Sequence, residues 1–259
     1  MRRNKSVYMA TYKKRGNKPK KKESIEQQST TAEVFSTLDQ GASRTEEWVA
    51  KNQKYIFILV AVIAVVVLGS LGFKKFIQEP KEIDAKNDMF QAQSYFDQAV
   101  TGVEKDSLFT LALNGGEGKF GMLDIIENHS STDAANLARY YAGMAYLNLK
   151  DYSNAVSHLD EFKSDDEILA PLAKGGIGDA FVQLEQYDDA LDYYTKAAEL
   201  KSNDFTTSMY LFKAGNMAMQ LEKNAKALTF FKRIKDEFPT STEATNIDVF
   251  IGKAEAASN

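Results

Sequence analysis

The sequence of 259 residues predicts an all-α protein, in which a single transmembrane helix is followed by a solenoid of paired helices. One long run of residues is apolar and carries no charge. Elsewhere the apolar residues recur with the period of about 3.6 residues that is typical of a helix, rather than the period of about 2 that is typical of a strand. A short motif also occurs three times at nearly constant spacing, which indicates a repeat architecture.

The uncharged run covers residues 55–73, YIFILVAVIAVVVLGSLGF. At about 1.5 Å per residue a helix of this length spans about 28 Å, close to the ~30 Å thickness of the hydrocarbon core of a bilayer. Lysines flank both ends of the run, and the amphipathic side chain of Tyr55 suits the headgroup region. We therefore predict a juxtamembrane and transmembrane segment at residues 44–78. A buried core helix and a cleaved signal peptide are the alternatives, but a core helix of this length usually carries charge, and no A-x-A-like cleavage site follows the run.

The charge of the chain changes sign across this segment. Residues 1–54 contain 13 Lys and Arg against 6 Asp and Glu, whereas residues 74–259 contain 19 against 30. Ten of the basic residues lie within residues 1–22, which contain no acidic residue. Because basic segments resist translocation, we expect a protein of the inner membrane with its N-terminus in the cytoplasm and its larger, acidic part in the periplasm.

Residues 1–43 are predicted to form a basic, largely disordered cytoplasmic tail, because they hold too few apolar residues to build a core. The lysines of the tail favour contact with anionic membrane lipids, and contact with ribosomal RNA is the alternative. Ser43 begins a capping-box pattern that ends at Glu46, so a new helix is expected to start there, after Gly41.

Three segments of the C-terminal part align on an alanine that follows a polar turn. The alanines are separated by 35 and 37 residues, and each has a glycine 12 positions earlier and a large residue 4 positions later. The aligned triplets are Gly143, Ala155 and Leu159; Gly178, Ala190 and Tyr194; and Gly215, Ala227 and Phe231. Small residues let two helices cross closely, and the large side chain fills the adjacent gap. The pattern therefore predicts antiparallel helix pairs.

These segments resemble the tetratricopeptide repeat, a helix-turn-helix unit of about 34 residues. The resemblance implies a repeat domain at residues 79–259 that binds other proteins. Repeats are expected at about 136–169, 171–204 and 208–241. A degenerate first unit at 84–128 is expected to hold a helix on each side of the loop around Gly115, and residues 241–257 are expected to form a cap helix.

In tetratricopeptide repeats the first helix of each unit lines a concave surface, and the resemblance gives that role to the equivalent positions here. The predicted groove combines apolar side chains with amides, which suit an extended polypeptide. Its residues are Leu137, Tyr140, Met144, Leu147 and Asn148 in the first repeat, Leu172, Gly175, Asp179, Val182 and Gln183 in the second, and Met209, Phe212, Asn216, Met219 and Gln220 in the third. None of these positions carries Lys or Arg, so a basic clamp for a terminal carboxylate is not expected.

The sequence does not indicate an enzyme, a cofactor or a metal site. Cysteine is absent, and neither His129 nor His158 belongs to a pair with metal-ligand spacing. The glycines before Lys119 lack the spacing of a phosphate-binding loop, and the run at 175–178 lacks the third glycine of a dinucleotide fingerprint. We expect protein partners and no small-molecule substrate.

The order of the segments, with a basic tail, one membrane anchor and a short exported repeat domain, resembles that of YfgM-like proteins, which are ancillary subunits of the Sec translocon. This resemblance implies that the partners are translocon subunits, a periplasmic chaperone of the PpiD type, or emerging polypeptide chains. The alternatives are an assembly subunit of an envelope secretion or outer-membrane machine, and a transmembrane signalling protein whose basic tail acts in the cytoplasm.

Overall fold

A computed structural model describes the backbone of residues 30–258 and the side chains of residues 46–258. The predicted disorder of residues 1–29 lies outside the described residues. The described chain is built from helices and contains no β-strand, as predicted. It divides between Val67 and Leu68 into two units.

The first helix, α1, runs from Thr30 to Phe73 and contains the whole predicted membrane span. It passes through Gly41 and Ser43 without a break, so the helix start predicted at Ser43 is wrong and the last part of the predicted tail is helical. A glycine inside a helix costs only about 1 kcal/mol relative to alanine, and a long helix tolerates this cost. Among the described residues, one helical stretch is long and apolar enough to cross a membrane; it includes the predicted span, and its most apolar window is not buried.

A five-residue π-helical turn, Lys74–Gln78, joins α1 to helix α2. Helix α2 spans Glu79–Thr101 and is followed by two shorter helices, α3 at Lys105–Asn114 and α4 at Met122–Asn128. The degenerate first unit therefore contains three helices, where the sequence predicted a helix pair.

Helix α3 was missed because it is short and follows α2 after only a few residues. Its apolar residues Phe109, Ala112 and Leu113 share one face and are buried in the core that they form with α2. The predicted loop follows α3. Gly115 turns the chain there with a φ of 77°, and a Cβ atom on it would lie 2.1 Å from the carbonyl oxygen of Lys119.

Three helix pairs form the predicted repeats, and a short cap follows them. The pairs are α5 (Asp133–Asn148) with α6 (Tyr152–Glu161), α7 (Leu169–Gln183) with α8 (Tyr187–Leu200), and α9 (Thr206–Gln220) with α10 (Asn224–Glu237). The cap consists of a 3-10 turn, Glu243–Asn246, and helix α11, Ile247–Ala257. Helix α11 shares an apolar core with α9 and α10.

Each repeat contains the predicted contact between a glycine of its first helix and a large side chain of its second. An added Cβ atom would lie 2.5 Å from Leu159 Cγ at Gly143, 2.7 Å from Tyr194 Cδ1 at Gly178, and 2.4 Å from Phe231 Cε1 at Gly215. The three aligned alanines are fully buried. These contacts confirm the predicted basis of helix pairing, because any side chain at the glycine would push the two helices apart.

The turn inside each repeat has the same backbone conformation. Lys150, Glu185 and Glu222 lie at equivalent positions and have φ values of 64°, 59° and 57°. The amide of the following residue donates to a carbonyl five positions back, as from Asp151 N to Tyr146 O at 2.9 Å. This is a Schellman helix end, in which glycine usually occupies the left-handed position.

Helix α2 is fixed to the first repeat by a side-chain cap. The Glu82 carboxylate accepts hydrogen bonds from the backbone N–H groups of Asp133 and Ala134, at 2.7 and 3.1 Å, where α5 begins. A carboxylate at this position also interacts favourably with the helix dipole. Because α2, α3, α4 and α5 share one apolar core, the irregular first unit is continuous with the repeats.

Candidate functional site

The first helices of the three repeats, α5, α7 and α9, carry all of the predicted groove residues. The structure places these residues in three settings. Some line a cavity, some lie in the core, and some are exposed on α9.

A cavity of about 390 Å³ brings five predicted residues of the first and second repeats together. Its wall contains the predicted residues Leu147, Asn148, Asp179, Val182 and Gln183, together with Lys150, Tyr152 and Tyr194. Asn148 Nδ2 donates to the Met144 carbonyl oxygen at 2.8 Å, and Gln183 Oε1 accepts from the Tyr152 hydroxyl at 3.3 Å. Within the described chain these are the only bonds of the two amides, so each can still pair with the main chain of a bound segment.

Asp179 differs from the amides because its carboxylate is already bound within the chain. Its Oδ1 accepts hydrogen bonds from the Tyr194 hydroxyl and from the Lys213 ammonium, both at 2.6 Å, and its Oδ2 accepts from Lys213 at 2.9 Å. The side chains of Asp179 and Lys213 are 36% and 35% exposed. The pair therefore joins α7 to α9 at the surface and neutralises the one carboxylate in the cavity wall.

Two tyrosines surround this ion pair. The Lys213 ammonium lies 5.4 Å from the ring centroid of Tyr194 and 5.7 Å from that of Tyr210, and the two rings stack at 6.3 Å. Burial raises the pKa of both hydroxyls, and the nearby Asp179 carboxylate raises the pKa of both further. Tyr194 therefore remains protonated and serves as a hydrogen-bond donor to Asp179.

Several predicted groove residues contribute to the core. Tyr140 is 9% exposed, and its ring centroid lies 5.3 Å from that of Phe162. Gly175 is buried below Tyr210, since a Cβ atom on it would lie 1.9 Å from Tyr210 Cε1. The partly buried members of this set are Leu137, Met144 and Leu172. These residues position the first helices, and little of their surface is open to a partner.

On α9 the predicted apolar residues pack inward while the predicted amides face solvent. The Phe212 ring lies 4.7 Å from the ring of Phe250, and both methionines of the set, Met209 and Met219, are partly buried against the same core. Asn216 and Gln220 are exposed. No residue that the structure describes forms a hydrogen bond with either amide.

Exposed amides recur at one equivalent position of each repeat. They are Asn148, Gln183 and Gln220, at separations of 35 and 37 residues. The preceding position carries an apolar, partly buried residue in each repeat: Leu147, Val182 and Met219. A row of amides beside a row of apolar side chains offers hydrogen bonds to the backbone of an extended polypeptide and shallow contacts to its side chains.

Lys213, Tyr194 and Tyr152 belong to this surface but were not among the predicted groove residues. Lys213 directly follows the predicted Phe212. It lies 34 positions after Asp179, three fewer than the 37 residues that separate equivalent positions of the second and third repeats, so Lys213 precedes the position equivalent to Asp179 by almost one helical turn. Opposite charges on neighbouring first helices, about one turn from equivalent positions, are therefore the sequence signal that would have identified the pair.

The two histidines each contact a neighbouring helix. His129 Nε2 lies 2.9 Å from Asp88 Oδ2 on α2, and the His158 ring stacks on Tyr146 with centroids 5.4 Å apart. Burial lowers the pKa of His158, and its Nδ1 is buried without a hydrogen-bond partner. The described residues contain no group of three or more His, Asp or Glu side chains that could hold a metal ion.

Comparison with known families agrees with the helix pairs. Residues 137–166 match one tetratricopeptide repeat family and residues 176–242 match another. The first segment covers most of α5 and all of α6, and the second extends from the middle of α7 to just beyond the end of α10. No curated protein matches the chain. The chain therefore carries tetratricopeptide repeats, and such repeats indicate a scaffold for protein-protein interaction.

Proposed function

We propose that this protein is a non-enzymatic, membrane-anchored scaffold that binds extended segments of partner proteins along α5, α7 and α9. The observation that carries the proposal is the cavity of about 390 Å³ between the first two repeats. There the amides of Asn148 and Gln183 are available to a partner's main chain, and Leu147 and Val182 offer apolar contacts beside them. Binding of this kind needs no nucleophile, metal or cofactor.

The scaffold is proposed to lie in the inner membrane beside the Sec translocon, with its N-terminus in the cytoplasm and its repeats in the periplasm. It would recruit a periplasmic chaperone of the PpiD type or contact emerging chains directly. The orientation is supported by the ten basic residues within residues 1–22 and by the acidic character of the repeats. The basic tail would contact anionic lipids, with ribosomal RNA as the alternative partner.

Purification of the full chain in mild detergent, after cross-linking in cells, tests the proposed partners. The variant Asn148→Ala, Gln183→Ala removes both amides of the cavity. Its matched control is Asn128→Ala, because Asn128 is also exposed and also donates to its own helix, to Asp124 O at 2.9 Å. We expect channel subunits and a chaperone to be recovered with the control and to be reduced about fivefold with the double variant.

Two other results would contradict parts of the proposal. Outer-membrane machinery or a transcription regulator, recovered in place of channel subunits, would reject the translocon assignment in favour of an assembly or signalling role. Undiminished recovery with the double variant would reject the cavity as the binding site.

A protease added to intact spheroplasts tests the orientation separately. We expect the repeats to be degraded and the basic tail to be protected. Protection of the repeats with loss of the tail would reverse the orientation and reject periplasmic partners.

A further inference from the structure

Helix α2 has an exposed apolar face that is separate from the three-repeat groove. Its other side carries the residues that pack into the domain core, including Met89 and Phe96. On the solvent side, Ile83 is 58% exposed and Phe90 is 71% exposed. Because they are seven residues apart, Ile83 and Phe90 lie on the same face of the helix.

Phe90 borders a shallow recess of about 570 Å³. Its lining residues are Phe90, Gln93, Ser94, Asp97, Gln98 and Thr101. Gln93 Nε2 donates to the hydroxyl of Tyr141 on α5 at 3.0 Å. This bond places the recess beside the first repeat. We call these six residues, together with Ile83, the α2 face.

The charge of the α2 face is negative. Asp97 is exposed, and no described residue forms a hydrogen bond or ion pair with its carboxylate, although Thr101 Oγ1 donates to its backbone carbonyl at 3.2 Å. The nearest lysine toward the start of the helix, Lys86, lies 3.3 Å from the Glu82 carboxylate and is paired with it. Residues 79–259 as a whole carry 30 Asp and Glu against 17 Lys and Arg. The local charge and the field of the domain both favour a cationic ligand.

We propose that the α2 face binds a cationic amphipathic segment of another protein, with an apolar side chain of the partner covering Phe90 and a Lys or Arg of the partner pairing with Asp97. An anionic lipid surface is a poorer occupant, because the Asp97 carboxylate repels it. A second copy of this chain is also a poorer occupant, since two α2 helices packed in parallel would bring two Asp97 carboxylates together. The recess and the three-repeat groove would then bind different segments.

Peptide binding to the full chain in nanodiscs of uncharged lipid tests this proposal. The probes are three fluorescent 14-residue peptides with leucines at the same helical spacing and with Lys, Gln or Glu at the remaining positions. We expect the Lys peptide to bind most tightly. Phe90→Ser should weaken its binding about tenfold, and Asp97→Lys should weaken it about tenfold while strengthening binding of the Glu peptide.

Two controls separate this site from general attraction to an acidic protein and from the groove. Glu199→Lys reverses an exposed carboxylate at the end of α8 and should change the affinity less than twofold. The groove variant Asn148→Ala, Gln183→Ala should leave the affinity of the Lys peptide unchanged. Because Phe90 and Asp97 are exposed, we expect their variants to keep the melting temperature of the parent chain.

Equal weakening by Glu199→Lys and Asp97→Lys would overturn the proposal, as would an unchanged affinity with Phe90→Ser. Self-association of the chain, or binding to anionic vesicles, that is lost with Phe90→Ser while the Lys peptide does not bind would also overturn it. Self-association of this kind would assign the α2 face to a second copy of the chain, and vesicle binding would assign it to the membrane.

Discussion

The junction between the first and second repeats differs from the junction between the second and third at equivalent positions. Met144 and Asp179 are equivalent, 35 residues apart, and so are Gly176 and Lys213, 37 residues apart. At the first junction a Cβ atom on Gly176 would lie 3.4 Å from Met144 Sδ, so the contact is apolar. At the second junction Lys213 donates to Asp179 at 2.6 Å, so the contact is an ion pair.

This difference distinguishes the positions that pair two helices within a repeat from the positions that make contacts between repeats. Pairing within a repeat depends on the same glycine and alanine positions in all three units. The contact between repeats differs: a thioether lies against a glycine at the first junction, and a carboxylate pairs with an ammonium at the second. The repeat therefore fixes the backbone, and the residues between repeats are free to determine the chemistry of the binding surface.

The largest expected effect is the difference in the free energy of unfolding between alanine variants of two adjacent glycines of α7. Gly175→Ala places a methyl group 1.9 Å from Tyr210 Cε1, a buried ring of the second junction, and should lower the free energy of unfolding by about 2 to 3 kcal/mol. Gly176→Ala meets flexible side-chain ends of the first junction, Leu159 Cδ1 at 3.0 Å and Met144 Sδ at 3.4 Å, and should cost less than about 1 kcal/mol. Urea denaturation followed by circular dichroism measures both effects.

Gly252→Ala in α11 is the control for these glycine variants. Apart from its chain neighbours and the backbone of its own helix, no atom lies within 4 Å of the position that its Cβ atom would take. Alanine favours a helix over glycine, so this variant should be more stable by about 0.5 to 1 kcal/mol. Equal losses with Gly175→Ala and Gly176→Ala would contradict the tighter packing assigned to the second junction.

Gly175 also shows how far the sequence could predict this molecule. The three helix pairs follow from residues within one repeat, and the structure confirms them. The atom that fills the space above Gly175 belongs to Tyr210 of the next repeat, and no pattern within a repeat reveals it. The sequence assigned both Gly175 and Tyr140 to the groove, while the structure uses them to pack helices.

The candidate site was likewise predicted only in part from the sequence. Five predicted groove residues line one cavity, because their helical spacing determines the face on which they lie. Lys213 was missed, because a long side chain can reach a neighbouring helix from outside the expected positions. The sequence also did not predict that α1 continues through Gly41, because the capping-box pattern that begins at Ser43 indicated a new helix start.

Removal of the ion pair should have a smaller effect than overpacking at Gly175. Lys213→Met leaves Asp179 with only its bond from Tyr194, and because both charged side chains are about one-third exposed, the expected loss is about 0.5 to 1 kcal/mol. The double variant Asp179→Met, Lys213→Met copies the apolar character of the first junction and should recover most of this loss. A double-mutant cycle measured by urea denaturation gives the coupling energy, and purely additive losses would contradict the pairing.

Alkaline pH should affect the second junction more than the first. Burial raises the pKa of Tyr194 and of Tyr140, but only at Tyr194 does a carboxylate, Asp179, raise the pKa further. Because each folded-state pKa lies above the value of about 10 in the unfolded chain, the unfolded state releases its protons first. The stability from these groups is therefore present below about pH 10 and is lost as the pH rises above it.

Tyr194→Phe should reduce the loss of stability at alkaline pH more than Tyr140→Phe does. The measurement is the free energy of unfolding in urea at several pH values between about 8 and 11. An equal change of slope in the two variants would mean that burial alone, without Asp179, determines the behaviour.

The smallest expected effect lies in the turns inside the repeats, where the first and second repeats do not differ. Lys150 and Glu185 both adopt left-handed conformations, with φ of 64° and 59°, at a cost of about 1 to 2 kcal/mol for a residue with a side chain. Glycine removes this cost but adds about 0.5 to 1 kcal/mol of unfolded-chain entropy, so Lys150→Gly and Glu185→Gly should each stabilise by about 0.5 kcal/mol. Ser157→Gly, at an exposed position inside α6, should destabilise by a similar amount. Unequal gains in the two turns would mean that backbone geometry, and not side-chain chemistry alone, distinguishes the repeats.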